Sequence, residues 1–150
     1  MASNKISIGN AGEYFVAGEL ERHGFTVAVP MSNVAAFDIL IINRETNKQF
    51  AIQVKTSKQG KKWALSKKAE DLIGDNIIYV FVVLNDLGIP EYHIVPSAVV
   101  AKQVYENHRK WLATCGKDGK PHNDTTIRNF FDGDDEYLNR WDYLGIEFKA

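Results

Sequence analysis

Residues 36–57, AFDILIINRETNKQFAIQVKTS, contain two apolar runs joined by a polar segment. The first run, 37–42, is rich in Ile and Leu, the second, 50–54, alternates apolar and polar residues, and 43–48 has no apolar residue. This pattern is typical of two paired strands with a short connection. We therefore predict a β-hairpin, and we build the rest of the fold outward from it.

Polar side chains share one face of the second predicted strand. Because side chains alternate along a strand, Ala51, Gln53 and Lys55 point to one face and the apolar residues between them point to the other. In the first strand, Asp38 stands between apolar residues and would lose solvation without a compensating partner. A metal ion or Lys55 would compensate it, which predicts a functional site on this hairpin.

The order of an Asp, a short hairpin and Gln-Val-Lys resembles the PD-(D/E)XK nuclease superfamily. Asp38 matches the first carboxylate of that motif, and Lys55 matches its lysine. Gln53 stands where the superfamily usually has Asp or Glu, and methyl-directed restriction enzymes of the superfamily carry a similar Gln-X-Lys variant.

A helix is predicted before the hairpin, from about Asn10 to His23, with Gly24 just beyond its end. On a helical wheel Glu13 lies in the same stripe as Leu20, on the side that should meet the sheet. The segment 12–25, GEYFVAGELERHGF, is similar to the first helix of Holliday-junction resolvases, which belong to the same superfamily.

The resemblance implies an α/β fold with a restriction endonuclease-like core, in which a mixed central β-sheet is flanked by helices. It also implies a metal-dependent endonuclease that hydrolyses phosphodiester bonds in DNA. The implied catalytic residues are Glu13, Asp38, Gln53 and Lys55. Mg²⁺ or Mn²⁺ would be held by Glu13, Asp38, the Gln53 carbonyl and the Val54 backbone carbonyl, because hard cations prefer oxygen ligands. Gln53 supplies an oxygen without a charge, so metal affinity should be lower than with Glu.

The segment after the hairpin is rich in lysine, with lysines at 55, 58, 61, 62, 67 and 68 around a tryptophan at 63. Two interpretations stay open: a patch that contacts nucleic-acid phosphates, or a solvated face. Two hydroxyl residues in this segment either donate to a phosphate or cap the strand. The predicted nucleic-acid contacts are Thr56, Ser57, Lys58, Lys61, Lys62, Lys67 and Lys68.

The remaining elements follow from periodicity. We predict a short strand over 25–29, a central strand over 77–84, an antiparallel strand over 91–95 and a helix over 96–113. From about residue 115, two short helical patterns surround an acidic turn at 132–136 and predict a helical C-terminal extension. In that turn Asp134, Asp135 and Glu136 would bind a cation or mark an exposed helix N-terminus.

The composition is that of an ordinary globular protein: 150 residues, 45% hydrophobic and 25% charged, with a net charge of −1. We predict one domain over residues 1–150, a cytoplasmic location, and no membrane span or leader. A homodimer would suit an enzyme that cuts two strands.

Several other kinds of site are disfavoured. One cysteine and four histidines without ligand spacing disfavour a disulfide and a zinc site. The chain has no glycine-rich phosphate loop and no GxSxG serine.

Two alternatives to the nuclease stay open. The first is an inactive domain of the same fold that binds nucleic acid or a protein, and it predicts no dependence on divalent ions. The second is a chance pattern, which predicts that Glu13, Asp38 and Lys55 do not converge.

Overall fold

The computed structural model describes residues 4–31 and 37–146, so that Ala36 and the residues just before it lie outside the described part. Two helices and two β-sheets account for most of the described chain. The elements are α1 (Lys5–Arg22), β1 (Thr26–Ala28), β2 (Ile39–Ile42), β3 (Gln49–Ser57), β4 (Lys62–Ser66), β5 (Ile77–Val83), β6 (Glu91–Pro96), α2 (Ser97–Leu112) and β7 (Ile127–Phe131), with 3₁₀ segments at Lys67–Glu70 and Trp141–Leu144.

The main sheet is mixed and has the strand order β1-β2-β3-β5-β6. The predicted hairpin is β2 and β3, which pair antiparallel with Ile39 opposite Ile52. β3 and β5 are parallel, and β6 returns antiparallel to β5. The prediction of an α/β fold with a mixed central sheet flanked by helices is confirmed.

Each face of this sheet carries its own apolar core. On one face α1 contributes Val16 and Leu20, which are fully buried against apolar side chains of β2, β3 and β5. On the other face α2 contributes Val100 and Val104, packed with residues of β4, β5 and β7. β5 is apolar on both faces because it contributes to both cores, as its continuous hydrophobic run predicts.

The first helix begins earlier than predicted. Asn4 is its N-cap, and the Asn4 side chain accepts a hydrogen bond from the Ser7 N–H at 2.7 Å. This cap adds more than a turn before Asn10, the predicted start. The end is as predicted: the helix stops at Arg22, and Gly24 takes the positive φ of +91° that favours glycine after a helix.

The C-terminal prediction was wrong in one respect. Residues 127–131 form strand β7, where a helical pattern was expected, and β7 pairs antiparallel with β4. Arg128 and Phe130 are buried while Ile127 and Phe131 are exposed, an alternation with the period of a strand. β4 supplies the backbone hydrogen-bond partners that stabilise residues 127–131 as a strand. The local sequence does not show these partners, because β4 lies far away in the chain.

The predicted limits of the domain stay a prediction, since the two chain ends lie outside the described residues.

Strand β4 lies inside the lysine-rich segment and was not predicted as a strand. Trp63, at its second position, is 2% exposed, and its indole N–H donates to the Val82 carbonyl at 2.9 Å. This tryptophan therefore belongs to the core.

No helix within the described residues is long and apolar enough to cross a membrane.

Candidate active site

Asp38 immediately precedes β2 and is fixed by two backbone hydrogen bonds. Its N–H donates to the Ile52 carbonyl at 2.9 Å, and its Oδ2 accepts from the Val54 N–H at 2.8 Å. The Val54 N–H thus supplies part of the compensation that a half-buried carboxylate needs. The hairpin holds one carboxylate oxygen in place beside Gln53 and Lys55.

Glu13 reaches the same region because α1 crosses β3 very closely. A Cβ atom built on Gly12 would lie 1.8 Å from the Thr56 Oγ1 atom, so only glycine fits at this crossing. Glu13 is the next residue of the helix and is half-buried. The glycine therefore lets the helix bring its glutamate towards the β2–β3 hairpin.

The charges of three predicted residues interact. Burial raises the pKa of the Glu13 carboxyl above its ordinary value, the negative charge of Asp38 raises it further, and the positive charge of Lys55 lowers it. The charges of Asp38 and Lys55 therefore lie close enough to Glu13 to affect the ionisation of its carboxyl. This convergence argues against a chance pattern.

Gln53 and Lys55 are both half-buried and lie on the same face of β3, as predicted. In the parallel pairing with β5 they stand beside Tyr79 and Phe81. Val54, between them, points to the opposite face and joins the core under α1. The alternation of the strand therefore presents the amide and the ammonium together.

Two hydroxyl residues predicted to contact nucleic acid have contacts within the protein. The Thr56 Oγ1 is buried against Gly12 and has no hydrogen-bond partner among the described residues, which places it out of reach of a phosphate at the surface. Ser57 Oγ donates to the Gln59 carbonyl at 2.5 Å, so it closes the turn after β3. The helix covers the Thr56 hydroxyl, and a nucleic-acid contact of either residue stays a prediction.

The lysines of the predicted patch differ in their surroundings. Lys58, Lys62, Lys67 and Lys68 are exposed, and Lys58 lies 3.8 Å from Asp86. Lys61 forms an ion pair of 2.5 Å with Asp135, which raises the pKa of the lysine. That pair places Asp135 of the acidic turn beside the lysine-rich segment. No helix begins at the acidic turn within the described chain.

The donor set suits a hard cation held weakly. No group of three or more His, Cys, Asp or Glu side chains occurs among the described residues in a geometry that would hold a metal. Two carboxylates, Glu13 and Asp38, approach one another, and Gln53 offers an amide in place of a third. Oxygen donors of this kind fit Mg²⁺ or Mn²⁺ with most of the coordination left to water and substrate.

Known proteins resemble this chain in structure and not in sequence. Neither the models of known protein families nor the curated proteins give a match to it. A bacterial homing endonuclease, I-Ssp6803I, superposes over 95% of this chain and 92% of its own, with a TM-score of 0.57 and 11% identity. Archaeoglobus fulgidus Hjc, a Holliday junction resolvase from an archaeal hyperthermophile, superposes over 94% and 98%, with a TM-score of 0.54 and 16% identity. This is the restriction endonuclease-like fold.

The restriction endonuclease-like fold was predicted from the hairpin and the first helix alone, and it is confirmed over nearly the whole described chain. Sequence reasoning missed Gly12 as a residue that positions the site. Its signal was the glycine directly before Glu13, in a helix where glycine is costly by about 1 kcal/mol relative to alanine. The close crossing of α1 and β3 explains why a glycine stands at this position despite that cost.

Proposed function

We propose that this protein is a metal-dependent endonuclease that hydrolyses phosphodiester bonds in DNA. The proposal is based on the proximity of Glu13, Asp38 and Lys55. The charge of Asp38 raises the pKa of Glu13, and the charge of Lys55 lowers it. A titratable group whose pKa is shifted by burial and by specific charged neighbours marks a functional site more often than a surface position does. The fold adds support, since both structural neighbours are named as an endonuclease or a resolvase.

Glu13, Asp38 and the carbonyl oxygens of Gln53 and Val54 are the proposed ligands of Mg²⁺ or Mn²⁺. When bound, the cation supplies positive charge to the phosphate and lowers the pKa of a water molecule. The Val54 N–H holds one oxygen of Asp38, so the carboxylate keeps a fixed direction. Preorganised groups of this kind need little rearrangement during the reaction.

Lys55 is the proposed catalytic cation. Its ammonium lies in the field of Glu13 and on the same face of β3 as Gln53. In this role it orients the attacking water and stabilises the additional negative charge of the pentavalent transition state. The exposed lysines at 58, 62, 67 and 68 are proposed to contact phosphates of the DNA backbone, because flexible ammonium groups suit non-specific electrostatic binding. Ser57 and Lys61 are secondary candidates, since each is held by a contact of 2.5 Å within the protein, shorter than the 3.8 Å between Lys58 and Asp86.

The proposal is tested with purified protein, Mg²⁺ or Mn²⁺, and supercoiled, linear and branched DNA. Asp38→Asn removes the charge but keeps an acceptor for the Val54 N–H, and Lys55→Met removes the ammonium with little change in size. Each should lower the cleavage rate by about 10²–10³-fold. Asp75→Asn and Lys110→Met, at exposed positions on the same chain, are the matched controls.

Cleavage without divalent ions, or cleavage that survives both substitutions, would contradict the proposed active site.

The second candidate function is a DNA-binding domain of the same fold that does not cut. Gln53 favours it, because the chain has one carboxylate fewer than the superfamily pattern. DNA binding that does not depend on metal, without cleavage of any of the three substrates, would support this DNA-binding function. A cytoplasmic location and a homodimer belong to the same proposal, and light scattering of the purified protein tests the dimer.

A further inference from the structure

A groove of about 530 Å³ lies between α2, which the sequence predicted, and β7, which it did not. Gln103 of α2 binds the backbone of Phe131, a lining residue. Its side-chain NH₂ donates to the Phe131 carbonyl at 3.0 Å, and its Oε1 accepts from the Phe131 N–H at 2.9 Å. Asn107 and Trp111, one and two helical turns further on, line the open part of the groove. The outer edge of β7 therefore faces α2.

The backbone of Asn129 points into this groove. At the two ends of the β4–β7 ladder, the Lys67 N–H donates to the Thr126 carbonyl and the Asp132 N–H to the Lys61 carbonyl, at 2.8 and 3.2 Å. Backbone groups alternate between the two edges of a strand. Even-numbered residues of β7 thus bond to β4, and the N–H and C=O of Asn129 lie on the outer edge.

The other outward backbone groups of β7 are engaged by side chains. Ile127 donates its N–H to Thr125 Oγ1 at 3.3 Å and accepts from an Arg128 NH₂ group at 3.0 Å. Phe131 is engaged by Gln103, as described above. A peptide that extends a sheet requires several successive open backbone groups. This edge offers one donor and one acceptor from a single residue, which suits a small planar ligand better.

Aromatic and apolar side chains form the walls of the groove. Trp111 is 38% exposed, and its indole stacks on His122 and on His108, with ring centroids 4.1 and 5.6 Å apart. Phe131 is 44% exposed and Ile127 57% exposed. These exposed fractions leave apolar surface available to a ligand.

The lining of the groove carries two cationic side chains, one of them paired with a carboxylate. Among its lining residues in the described part of the chain, Lys62 and Arg128 are cationic and none is a carboxylate. Arg128 is paired with Glu70 at 2.7 Å, and His108 of the lining is bonded to Asp124 at 2.7 Å. The Lys62 ammonium lies 5.6 Å from the centroid of the Phe131 ring, at the apolar wall.

We propose that this groove binds an unpaired nucleobase of a nucleic-acid strand. The N–H and C=O of Asn129 pair with a donor and an acceptor on the edge of the base, and the exposed apolar surfaces of Trp111 and Phe131 contact its ring. Lys62 meets the adjacent phosphate. Base–aromatic contact combined with a cation is the general chemistry of single-strand recognition. The inference rests on the proposed function only in taking nucleic acid as the ligand.

The exposure of the tryptophans provides a local readout. Trp63 and Trp141 are 2% and 4% exposed, whereas Trp111 is 38% exposed, so a ligand in the groove should quench mainly Trp111. The full chain is titrated, with a chelator in place of divalent ions, with a short single-stranded oligodeoxynucleotide and with the blunt duplex of the same sequence. We expect quenching, with binding of the single strand about tenfold tighter than that of the duplex.

Ile127→Glu places a carboxylate in the groove at an exposed position, so the fold should persist, and it should weaken binding of the single strand about tenfold. Leu87→Glu makes the same change of charge at a fully exposed turn and should leave the affinity unchanged. Trp111→Phe should remove the quenching while fluorescence anisotropy of a labelled strand still reports binding.

Equal binding of single strand and duplex would overturn the inference, as would equal effects of Ile127→Glu and Leu87→Glu. Quenching by polyglutamate as strong as by the oligonucleotide would assign the groove to an acidic peptide instead. Cleavage of duplex DNA with no preference for the single strand would remove this inference and leave the proposed function intact. Absence of both cleavage and nucleic-acid binding would remove both.

Discussion

Gly12 and Thr56 meet at a crossing where a Cβ atom on the glycine would lie 1.8 Å from the threonine Oγ1. The threonine hydroxyl is buried there without a hydrogen-bond partner among the described residues. Because Glu13 is the next residue of α1, the distance between helix and strand decides how far the glutamate reaches into the site. Packing and proposed catalysis are therefore coupled through this contact.

Gly12→Ala should displace α1 from β3, since the added methyl group overlaps both the hydroxyl and the carbon atoms of Thr56. We expect the free energy of unfolding to fall by about 1–3 kcal/mol and cleavage to fall about 100-fold. Denaturant melts and cleavage rates measure the two effects. Gly18→Ala, in the same helix but with nothing within 4 Å of the added Cβ, should stabilise the protein by up to about 1 kcal/mol.

A double substitution tests the cause. Thr56→Ala removes the two atoms of the threonine side chain beyond Cβ, so in the Gly12→Ala background it should recover part of the lost stability and activity. A double-mutant cycle gives the coupling energy between the two positions. Strictly additive effects would show that the glycine acts through something other than this contact.

Gln53→Glu should strengthen metal binding, because a third carboxylate would join Glu13 and Asp38. We expect the Kd for Mg²⁺, measured by calorimetry, to fall about tenfold. Without metal, the added charge should lower the melting temperature through repulsion between carboxylates. At a Mg²⁺ concentration about a hundred times the Kd, binding should contribute about 2.7 kcal/mol to stability. An unchanged Kd in the variant would place the metal away from Gln53.

The pKa of Glu13 gives a pH dependence whose sign is fixed. Burial, then Asp38, raise this pKa above its ordinary value of 4.5. The folded state therefore holds the proton more tightly than the unfolded state does, and the cost of ionising Glu13 in the folded state is absent below pH 4.5. Stability should fall as the pH rises from that value through the raised pKa.

Glu13→Gln removes this cost. Without divalent ions, the variant should gain stability relative to the wild type as the pH rises from 4.5 through the raised pKa of Glu13. Below pH 4.5 the two proteins should differ only by a constant free energy of unfolding. Urea melts across the window measure the difference. Glu21→Gln, at an exposed position of the same helix, is the control. A difference that does not vary with pH would mean that Glu13 ionises freely in the folded protein.

Adjacent phenylalanines of β7 should differ in their effect on stability. Phe130 is fully buried and stacks on Phe81 with ring centroids 4.5 Å apart, whereas Phe131 is 44% exposed. Phe130→Ala should cost about 3–5 kcal/mol, and Phe131→Ala much less. Denaturant melts of the two variants compare them directly. Equal losses would contradict the strand, since a strand sends neighbouring side chains to opposite faces.

The local sequence was sufficient for much of this fold. Apolar runs of strand length predicted β2, β3, β5 and β6, and the period of α1 placed Glu13 on the side that meets the sheet. The same patterns placed Asp38 at the first strand, which begins one residue later in the structure, and Gln53 and Lys55 on one face of the next. In each case the signal lies within a few consecutive residues, where side-chain direction follows from backbone geometry.

The second sheet was beyond the reach of local patterns. β4 and β7 are separated by about sixty residues, and each is stabilised by the other and by the core under α2. Short strands have little independent stability, so their local sequence is compatible with other structures. Trp63 in the lysine-rich segment consequently looked like part of a surface patch, although it is buried.

The sequence by itself therefore determined the hairpin, the helix before it and the types of residue at the candidate site. Only the tertiary structure decided that Gly12 packs against Thr56, that the field of Asp38 reaches Glu13, and that α2 and β7 form a groove. These features depend on contacts between residues far apart in the chain. Chain periodicity fixes which way a side chain points, and packing of whole elements fixes what it meets.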